Sequence, residues 1–281
     1  MKLYKLLRGV LLDVDETYYL LADDWDSVIN RDDLYRHLRE AVPAMQRISE
    51  SEAQSWITQE LLPPIGSQEV WAAGVTYFRS MEARMEESSS SGGADLYDRV
   101  YRAERPELFF KALPHRVSGH GQPVSIRKDS AWDVPEPELT LFINTYGSIQ
   151  GYTVGNDMSS RSIEGENALY LPQAKVYDRS AALGPCLYVP QFPLDAETRI
   201  EMDIVRDGQV VFHDAVKINR IKRPLEELAG YLYRECSFAN GCFLMTGTCL
   251  VPPSAFTLQP EDRVDIRIDP IGTLSNTVGY N

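Results

Sequence analysis

Three acidic residues lie in two neighbouring segments of this 281-residue chain. Glu136 and Glu138 flank a proline in VPEPELTLF, and Asp157 belongs to GYTVGNDMSSR. Carboxylate oxygens are the ligands that hard divalent cations prefer, and acids held close together repel each other unless a cation neutralises them. If the chain brings these three residues together, they form a divalent-metal site. A solvated acidic patch is the alternative.

The two segments are predicted to be the arms of one β-hairpin, joined through the turn-like residues 144–148 (NTYGS). Side chains alternate between the two faces of a strand, so Glu136 and Glu138 point to the same side. With residues 146 and 147 as a two-residue loop, the numbers of paired residues add up to 293, which places Glu136 opposite Asp157. Directly opposed Cβ atoms are about 5 Å apart. The hairpin is therefore expected to gather all three carboxylates.

The composition is that of a globular protein, and it argues against two classes of partner. Hydrophobic residues make up 43% of the chain and charged residues 25%, which are ordinary values. No apolar run approaches the roughly 20 residues that span a bilayer, and MKLYKLLRGVLLD at the start is interpreted as a first strand, since no small-residue cleavage site follows. A net charge of −13 argues against binding to a nucleic-acid backbone. We expect neither a membrane nor a nucleic acid as partner.

The four cysteines show neither metal-binding nor redox spacing. Cys236 and Cys242 are separated by five residues, which fits neither a CxxC motif nor a zinc site, and Cys186 and Cys249 stand alone. Structural thiols in a reducing compartment are the interpretation, and this predicts a cytoplasmic protein.

The pattern of elements predicts a β-dominated α+β fold with a small N-terminal domain (residues 1–65) and a larger domain (66–281). The first part mixes a strand with helices, and short strand patterns dominate after residue 108. One helix is predicted over residues 224–236, with proline at its start and leucines on one face. The low-complexity residues 88–93 (SSSSGG) are either a lid or an inert loop.

Several sequence blocks, taken together, resemble the fumarylacetoacetate hydrolase superfamily from about Ile65 to the C-terminus. The blocks are GVTY, EPE, GYTVGNDMSSR, Lys175 with ALGP, TGT and IGTLSNTV. The resemblance implies a mixed β-sandwich roll with a smaller N-terminal α/β domain, assembled as a homodimer or homotetramer. It also implies Mg²⁺, with Mn²⁺ or Ca²⁺ as substitutes, bound by Glu136, Glu138 and Asp157.

One departure from the family pattern changes the expected reaction. Hydrolases and decarboxylases of the superfamily carry NYxxHxxE, whose His and Glu activate water, whereas Ser80 and Ala83 stand at those positions here. A hydroxyl cannot replace imidazole as a base near neutral pH. Residues 74–88 and 162–185 resemble instead the sugar-acid dehydratase branch. That branch converts 2-keto-3-deoxy-pentonates, derived from D-arabinonate or D-xylonate, to 2-oxoglutarate semialdehyde.

The resemblance therefore implies a metal-assisted dehydration. A 2-keto-3-deoxy acid offers its carboxylate and C2 carbonyl as a chelate, a metal stabilises the enolate formed when C3 loses a proton, and hydroxide leaves C4. Two alternatives stay open. One is an acylpyruvate-type C–C hydrolase or oxaloacetate-type decarboxylase of the same superfamily, and the other is a non-catalytic, metal-dependent sugar-acid binding protein.

Dehydration needs an acid and a base, and Lys175 and Glu107 are the candidates. Lys175 ends the apolar loop LPQAK near the metal block, and Glu107 precedes an apolar strand. The alternatives are a surface lysine and a solvated glutamate at a strand start, and either residue is a candidate for taking the C3 proton. Lys111 is expected to face solvent rather than to hold a carboxylate.

Arg161 and two tyrosines are predicted to bind substrate. The planar guanidinium of Arg161 suits substrate oxygens, with an ion pair to Glu164 or Glu166 as the alternative. Tyr77 and Tyr170 either line the pocket or belong to the core.

The segment Thr246-Gly247-Thr248 is the third predicted substrate-binding element. Gly247 lets backbone N–H groups come close to a substrate carboxylate, and the two threonines add hydroxyl donors. A bare turn after a strand is the alternative.

Overall fold

The computed structural model describes residues 1–78, 85 and 94–281. Within them the strands are β1 (Lys2–Leu6), β2 (Gly9–Val14), β3 (Thr17–Leu21), β4 (Gln46–Ile48), β5 (Glu69–Gly74), β6 (Glu107–Ala112), β7 (Val117–Ser118), β8 (Val124–Ile126), β9 (Asp133–Val134), β10 (Pro137–Ile143), β11 (Ile149–Asp157), β12 (Ser159–Ser160), β13 (Ala181–Tyr188), β14 (Arg199–Arg206), β15 (Gln209–Lys217), β16 (Cys242–Met245), β17 (Arg263–Ile268) and β18 (Gly272–Tyr280). The α-helices are α1 (Trp25–Ile29), α2 (Leu34–Ala41), α3 (Glu50–Glu60), α4 (Ala94–Arg102), α5 (Arg161–Glu166), α6 (Leu171–Lys175) and α7 (Leu225–Leu232).

The predicted hairpin is formed by β10 and β11 at the centre of a large sheet. From Pro137↔Asn156 to Phe142↔Gly151 the pairing follows the predicted register. The predicted two-residue loop is wrong: the Asn144 N–H donates to the Ser148 carbonyl at 3.0 Å, which leaves three residues in the loop. A bulge at position 150 then restores the register, because Ile143 pairs with Ile149 and Phe142 pairs with Gly151.

The large sheet has eleven strands among the described residues. Its order is β4-β3-β2-β1-β13-β11-β10-β16-β5-β6, with β7 beside β13. The N-terminal strands are thus continuous with the sheet that carries the hairpin, through the pairs Lys2↔Tyr188 and Leu3↔Leu187. The proposed division into residues 1–65 and 66–281 stays a prediction.

A second sheet packs against one face of the large sheet. It has the order β15-β14-β17-β18-β8. Apolar side chains of both sheets and of α7 form the core between them, for example Leu141, Ile266 and Leu228, all fully buried. The opposite face of the large sheet is covered by α1 and α2 through residues such as Ile29 and Leu38. This strand-dominated arrangement of two packed sheets with flanking helices confirms the predicted β-dominated α+β class.

The local predictions have mixed outcomes. The helix predicted over residues 224–236 is α7, which begins after Pro224 and ends at Leu232. The segment predicted as a first strand forms two strands, β1 and β2. Ser80, Ala83 and the 88–93 segment lie outside the described residues. None of the helices that the structure describes has both the length and the apolar character needed to cross a bilayer.

Replacing Leu3 by alanine tests whether the N-terminal strands are part of the main core. Leu3 is fully buried, so Leu3→Ala should lower the free energy of unfolding of the whole chain by about 2–5 kcal/mol, measured by denaturant titration. Leu7→Ala is the control, because Leu7 is 72% exposed and its loss should change stability by less than about 0.5 kcal/mol. If residues 66–281 unfold in a separate transition that Leu3→Ala does not change, the N-terminal strands are not part of the main core.

Candidate metal centre

Three buried carboxylates meet at one end of the β10–β11 hairpin. The Asp157 N–H donates to the Glu136 carbonyl at 2.9 Å, which places the two residues opposite each other as the register predicts. Oxygen atoms of Glu136, Glu138 and Asp157 all lie within 4.8 Å of one another, and none of the residues is more than 4% exposed. The alternative of a solvated acidic patch is therefore wrong. We call these three side chains the carboxylate cup.

Repulsion among the three carboxylates favours the binding of a cation in the carboxylate cup. Burial, followed by the negative charges of Asp157 and Glu136, raises the pKa of Glu138 well above the ordinary glutamate value. Only oxygen atoms are offered as ligands, which suits Mg²⁺, and a cavity of about 10 Å³, the space of one small ion or water, lies beside them. The residues present thus fit a hard divalent cation.

One oxygen of each carboxylate accepts a hydrogen bond or ion pair from a fixed donor. These donors are two cationic side chains and one backbone N–H. The contacts are Arg161 Nη2–Glu136 Oε1 at 2.6 Å, Lys111 Nζ–Asp157 Oδ1 at 2.5 Å and Gly247 N–Glu138 Oε2 at 2.5 Å. The orientation of all three side chains is therefore determined by the protein itself.

Lys175 lies inside the carboxylate cup. It is the last residue of α6 and is fully buried, which excludes the alternative of a surface lysine. Its Nζ lies 2.7 Å from Glu136 Oε2, 3.1 Å from Asp157 Oδ2 and 2.6 Å from Ser159 Oγ. An ammonium group with these three acceptors can donate a proton directly at the site.

Lys111 corrects the expectation that its side chain faces solvent. It is fully buried, and its Nζ pairs with Asp157 and donates to the carbonyl oxygens of Met158, at 3.0 Å, and of Lys175. Burial lowers the pKa of Lys111, and the negative charge of Asp157 opposes this shift. The sequence signal was strand alternation: residues 107, 109 and 111 share one face of β6.

Glu107 is the first residue of β6 and pairs with Gly74 of β5. Its carboxylate lies directly over the Gly74 Cα, since a Cβ atom there would be 1.9 Å from Glu107 Oε2. Gly74 and Phe109 both line the pocket beside the carboxylate cup. Glu107 therefore lies next to this pocket. In the order of strands, its strand β6 is separated from the β10–β11 hairpin by β16 and β5.

Arg161 lines the same pocket and is 2% exposed. Its Nη2 lies 2.6 Å from Glu136 Oε1, and its Nε lies 3.8 Å from Glu164 Oε2. Of the predicted ion pairs, the one with Glu164 is present, whereas Glu166 is exposed. The role of Arg161 as a substrate ligand stays a prediction, alongside the structural role that its contact with Glu136 shows.

The Thr246-Gly247-Thr248 segment approaches the carboxylate cup from β16. The Gly247 N–H is used by Glu138, and the Thr246 hydroxyl donates to the Leu139 carbonyl at 2.8 Å. Thr248 lines the pocket, and its buried hydroxyl has no hydrogen-bond partner among the described residues. Of the three predicted substrate ligands, Thr248 is the one whose donor is available.

The two tyrosines occupy different environments. Tyr77 is 1% exposed, and burial, followed by the charges of Cys249 and Glu138, raises its pKa. Tyr170 is 38% exposed and follows α5 in a short 3₁₀ turn over residues 168–170. Neither lines the pocket beside the carboxylate cup, so their contact with substrate stays a prediction.

The sequence and fold are similar to those of known dehydratases. Residues 75–279 match the family described as fumarylacetoacetate (FAA) hydrolase C-terminal. The chain is 49% identical over 225 residues (80% of this chain, 76% of the relative) to a "Probable 2-keto-3-deoxyxylonate dehydratase" of Haloferax volcanii. It is 42% identical over 221 residues (76% and 73%) to the "2-dehydro-3-deoxy-D-arabinonate dehydratase" of Saccharolobus solfataricus.

A solved structure supports the same relationship. The "2-keto-3-deoxy-D-arabinonate dehydratase complexed with magnesium and 2,5-dioxopentanoate" superposes with a TM-score of 0.88 at 33% identity, covering 100% of this chain and 99% of that one. The fold predicted from the sequence blocks is thereby confirmed.

Replacing Gly247 by alanine should damage the site through crowding. The residue has φ +94°, and a Cβ atom would lie 2.0 Å from Thr76 Oγ1. Gly208 is a matched control, because it has φ +75° but nothing within 4 Å of an added Cβ. We expect Gly247→Ala to lower the free energy of unfolding by about 2 kcal/mol more than Gly208→Ala does, measured by denaturant titration. Equal losses would show that backbone strain alone is responsible.

Stability in a chelator should depend on pH through Glu138. Because the folded state raises the pKa of this acid, stability is lost as the pH rises above the ordinary glutamate value of about 4.3. Glu138→Gln removes this loss and should be more stable than the unchanged protein at pH 7. The difference, measured by urea unfolding in EDTA, should shrink toward pH 4. A difference independent of pH would contradict the repulsion.

Proposed function

The chain belongs to the fumarylacetoacetate hydrolase family, and we propose that it is a carbon–oxygen lyase that dehydrates a 2-keto-3-deoxy-D-pentonate (arabinonate or xylonate). The product is 2,5-dioxopentanoate, which is 2-oxoglutarate semialdehyde. The observation that carries this proposal is the buried carboxylate cup with an ammonium group in contact with it. The similarity to two proteins named as dehydratases of such acids supports it.

Glu136, Glu138 and Asp157 would hold the metal, for which we propose Mg²⁺, with Mn²⁺ or Ca²⁺ as substitutes. A divalent cation bound there supplies Lewis-acid polarisation of the carboxylate and C2 carbonyl of a 2-keto acid. The all-oxygen ligand set supports this choice, as does the magnesium in the similar solved structure.

Two side chains are proposed to move protons. Glu107, beside the pocket, takes the C3 proton, and Lys175 donates a proton to the C4 hydroxyl, which leaves as water. One proton is then lost from C5 and one from the C5 hydroxyl, while one proton is added to each of C3 and C4, so that C5 becomes the aldehyde. Overall, one substrate molecule gives one product molecule and one water molecule, with no net oxidation. The three acceptors around Lys175 Nζ support its assignment as the donor.

The chain's other residues are proposed to orient the substrate and the metal ligands. Arg161 and the available hydroxyl of Thr248 line the pocket and are suited to bind substrate oxygens. Thr246 and Gly247 position Glu138 and its strand, and Tyr77 and Tyr170 stay weaker candidates for substrate contact.

We propose a small 2-keto acid as the substrate partner, without nucleic acid or membrane. Assembly into a homodimer or homotetramer is proposed from the family resemblance. The four cysteines are free thiols, which supports a reducing, cytoplasmic location.

Incubation with Mg²⁺ and either 2-keto-3-deoxy-D-arabinonate or 2-keto-3-deoxy-D-xylonate should produce a semialdehyde, detected with an aldehyde-trapping reagent. EDTA should abolish the reaction and Mg²⁺ should restore it. Glu138→Gln should lose metal and turnover together, whereas Lys175→Met should keep the metal and lose at least about 100-fold in kcat, as expected for loss of a proton carrier.

Acetylpyruvate and a binding assay separate the alternatives. Formation of pyruvate and acetate at an enzymatic rate would contradict the dehydratase assignment and favour a hydrolase. Mg²⁺-dependent thermal stabilisation by the sugar acid, without product, would favour a binding protein. Normal turnover of Lys175→Met would remove Lys175 from the mechanism.

A further inference from the structure

The ammonium of Lys175 bridges one carboxylate oxygen of Glu136 and one of Asp157. Arg161 pairs with Oε1 of Glu136, and Lys111 pairs with Oδ1 of Asp157. Lys175 Nζ contacts the other oxygen of each, at 2.7 Å from Glu136 Oε2 and 3.1 Å from Asp157 Oδ2. A side-chain cation thus lies between two of the three acids that can hold a metal.

We propose that Lys175 is an internal counter-ion that competes with the divalent cation for the carboxylate cup. Two cations held on the same oxygens of a buried site repel each other strongly, so metal binding requires the ammonium to leave these oxygens. Without metal, Lys175 stabilises the three acids. With metal, the same ammonium is released toward the pocket. This inference rests on the proposed function for the identity of the metal site.

Ser159 is the positioning residue for this ammonium. It is fully buried in β12, its Oγ lies 2.6 Å from Lys175 Nζ, and it donates to the Asp157 carbonyl at 2.9 Å. The second hydrogen bond directs the oxygen lone pairs of the hydroxyl toward the ammonium. Ser159 therefore determines how firmly Lys175 is held, and it carries no charge that would itself alter metal binding.

Lys111 provides a comparison with the same charge and the same burial. It also contacts Asp157, but it is held by two main-chain carbonyl oxygens, those of Met158 and Lys175. Both acceptors belong to the main chain, so we expect them to keep their places when a metal binds. Lys111 is therefore expected to keep Asp157 oriented rather than to compete with the metal.

The test is calorimetric titration of Mg²⁺ alone, without substrate, into the unchanged protein and three variants. Lys175→Met should bind Mg²⁺ about tenfold more tightly or better, because the competing ammonium is gone. Ser159→Ala should bind about threefold more tightly, as expected for the loss of one hydrogen bond to the ammonium. Lys111→Met should bind no more tightly than the unchanged protein. Thermal unfolding should show the largest Mg²⁺-induced rise in Tm for Lys175→Met.

Several results would overturn the inference. Mg²⁺ affinities of Lys175→Met and Ser159→Ala that equal or fall below that of the unchanged protein would do so. Equal tightening by Lys111→Met and Lys175→Met would show that net charge, not displacement, sets the affinity. If Lys175→Met does not fold, Ser159→Ala decides, because it preserves every charge. Failure of the unchanged protein to bind Mg²⁺ would overturn the metal site itself, and with it the proposed function.

Discussion

Repulsion among three buried carboxylates is the constraint on which this site depends. Glu136, Glu138 and Asp157 are nearly inaccessible to water, so solvent cannot screen their charges. These negative charges are compensated by cationic side chains and a backbone N–H donor instead of by solvent, and each of these described partners is itself buried. Buried charges of this kind are costly unless each has a partner. In the proposed competition, the affinity for an added metal reflects how easily the ammonium of Lys175 leaves the carboxylate cup.

The register of the β10–β11 hairpin determines that the three acids meet on one face of the sheet. A shift of one residue would turn the side chain of Asp157 to the other face of the sheet, away from Glu136 and Glu138. The three-residue loop after Asn144 would impose that shift, and the bulge at Gln150 cancels it. The loop and the bulge are therefore a matched pair, and insertion or deletion at either place should separate the acids.

The positions of the three acids could be predicted from the sequence because they depend on local rules. Alternation along a strand and the pairing of two adjacent arms sufficed to place Glu136, Glu138 and Asp157. Lys111 was missed because the burial of a lysine depends on acceptors far away in the chain, here Asp157 and two carbonyl oxygens. Pairing of β1 with β13 joins residues about 185 positions apart, and no periodicity in the sequence encodes it. The pairing of β1 with β13 and the burial of Lys111 both depend on such long-range contacts, so local sequence patterns did not predict them.

The cations around the carboxylate cup also bear on the class of reaction. Hydrolysis needs a base that removes a proton from water, whereas loss of a C4 hydroxyl needs a donor that gives one. The group in direct contact with the acids of the carboxylate cup is an ammonium with three acceptors, and a proton donor at this place favours the second kind of step. The carboxylate of Glu107 lies next to the pocket lined by Gly74 and Phe109. A proton donor and a carboxylate beside one pocket are the two groups that the proposed dehydration needs.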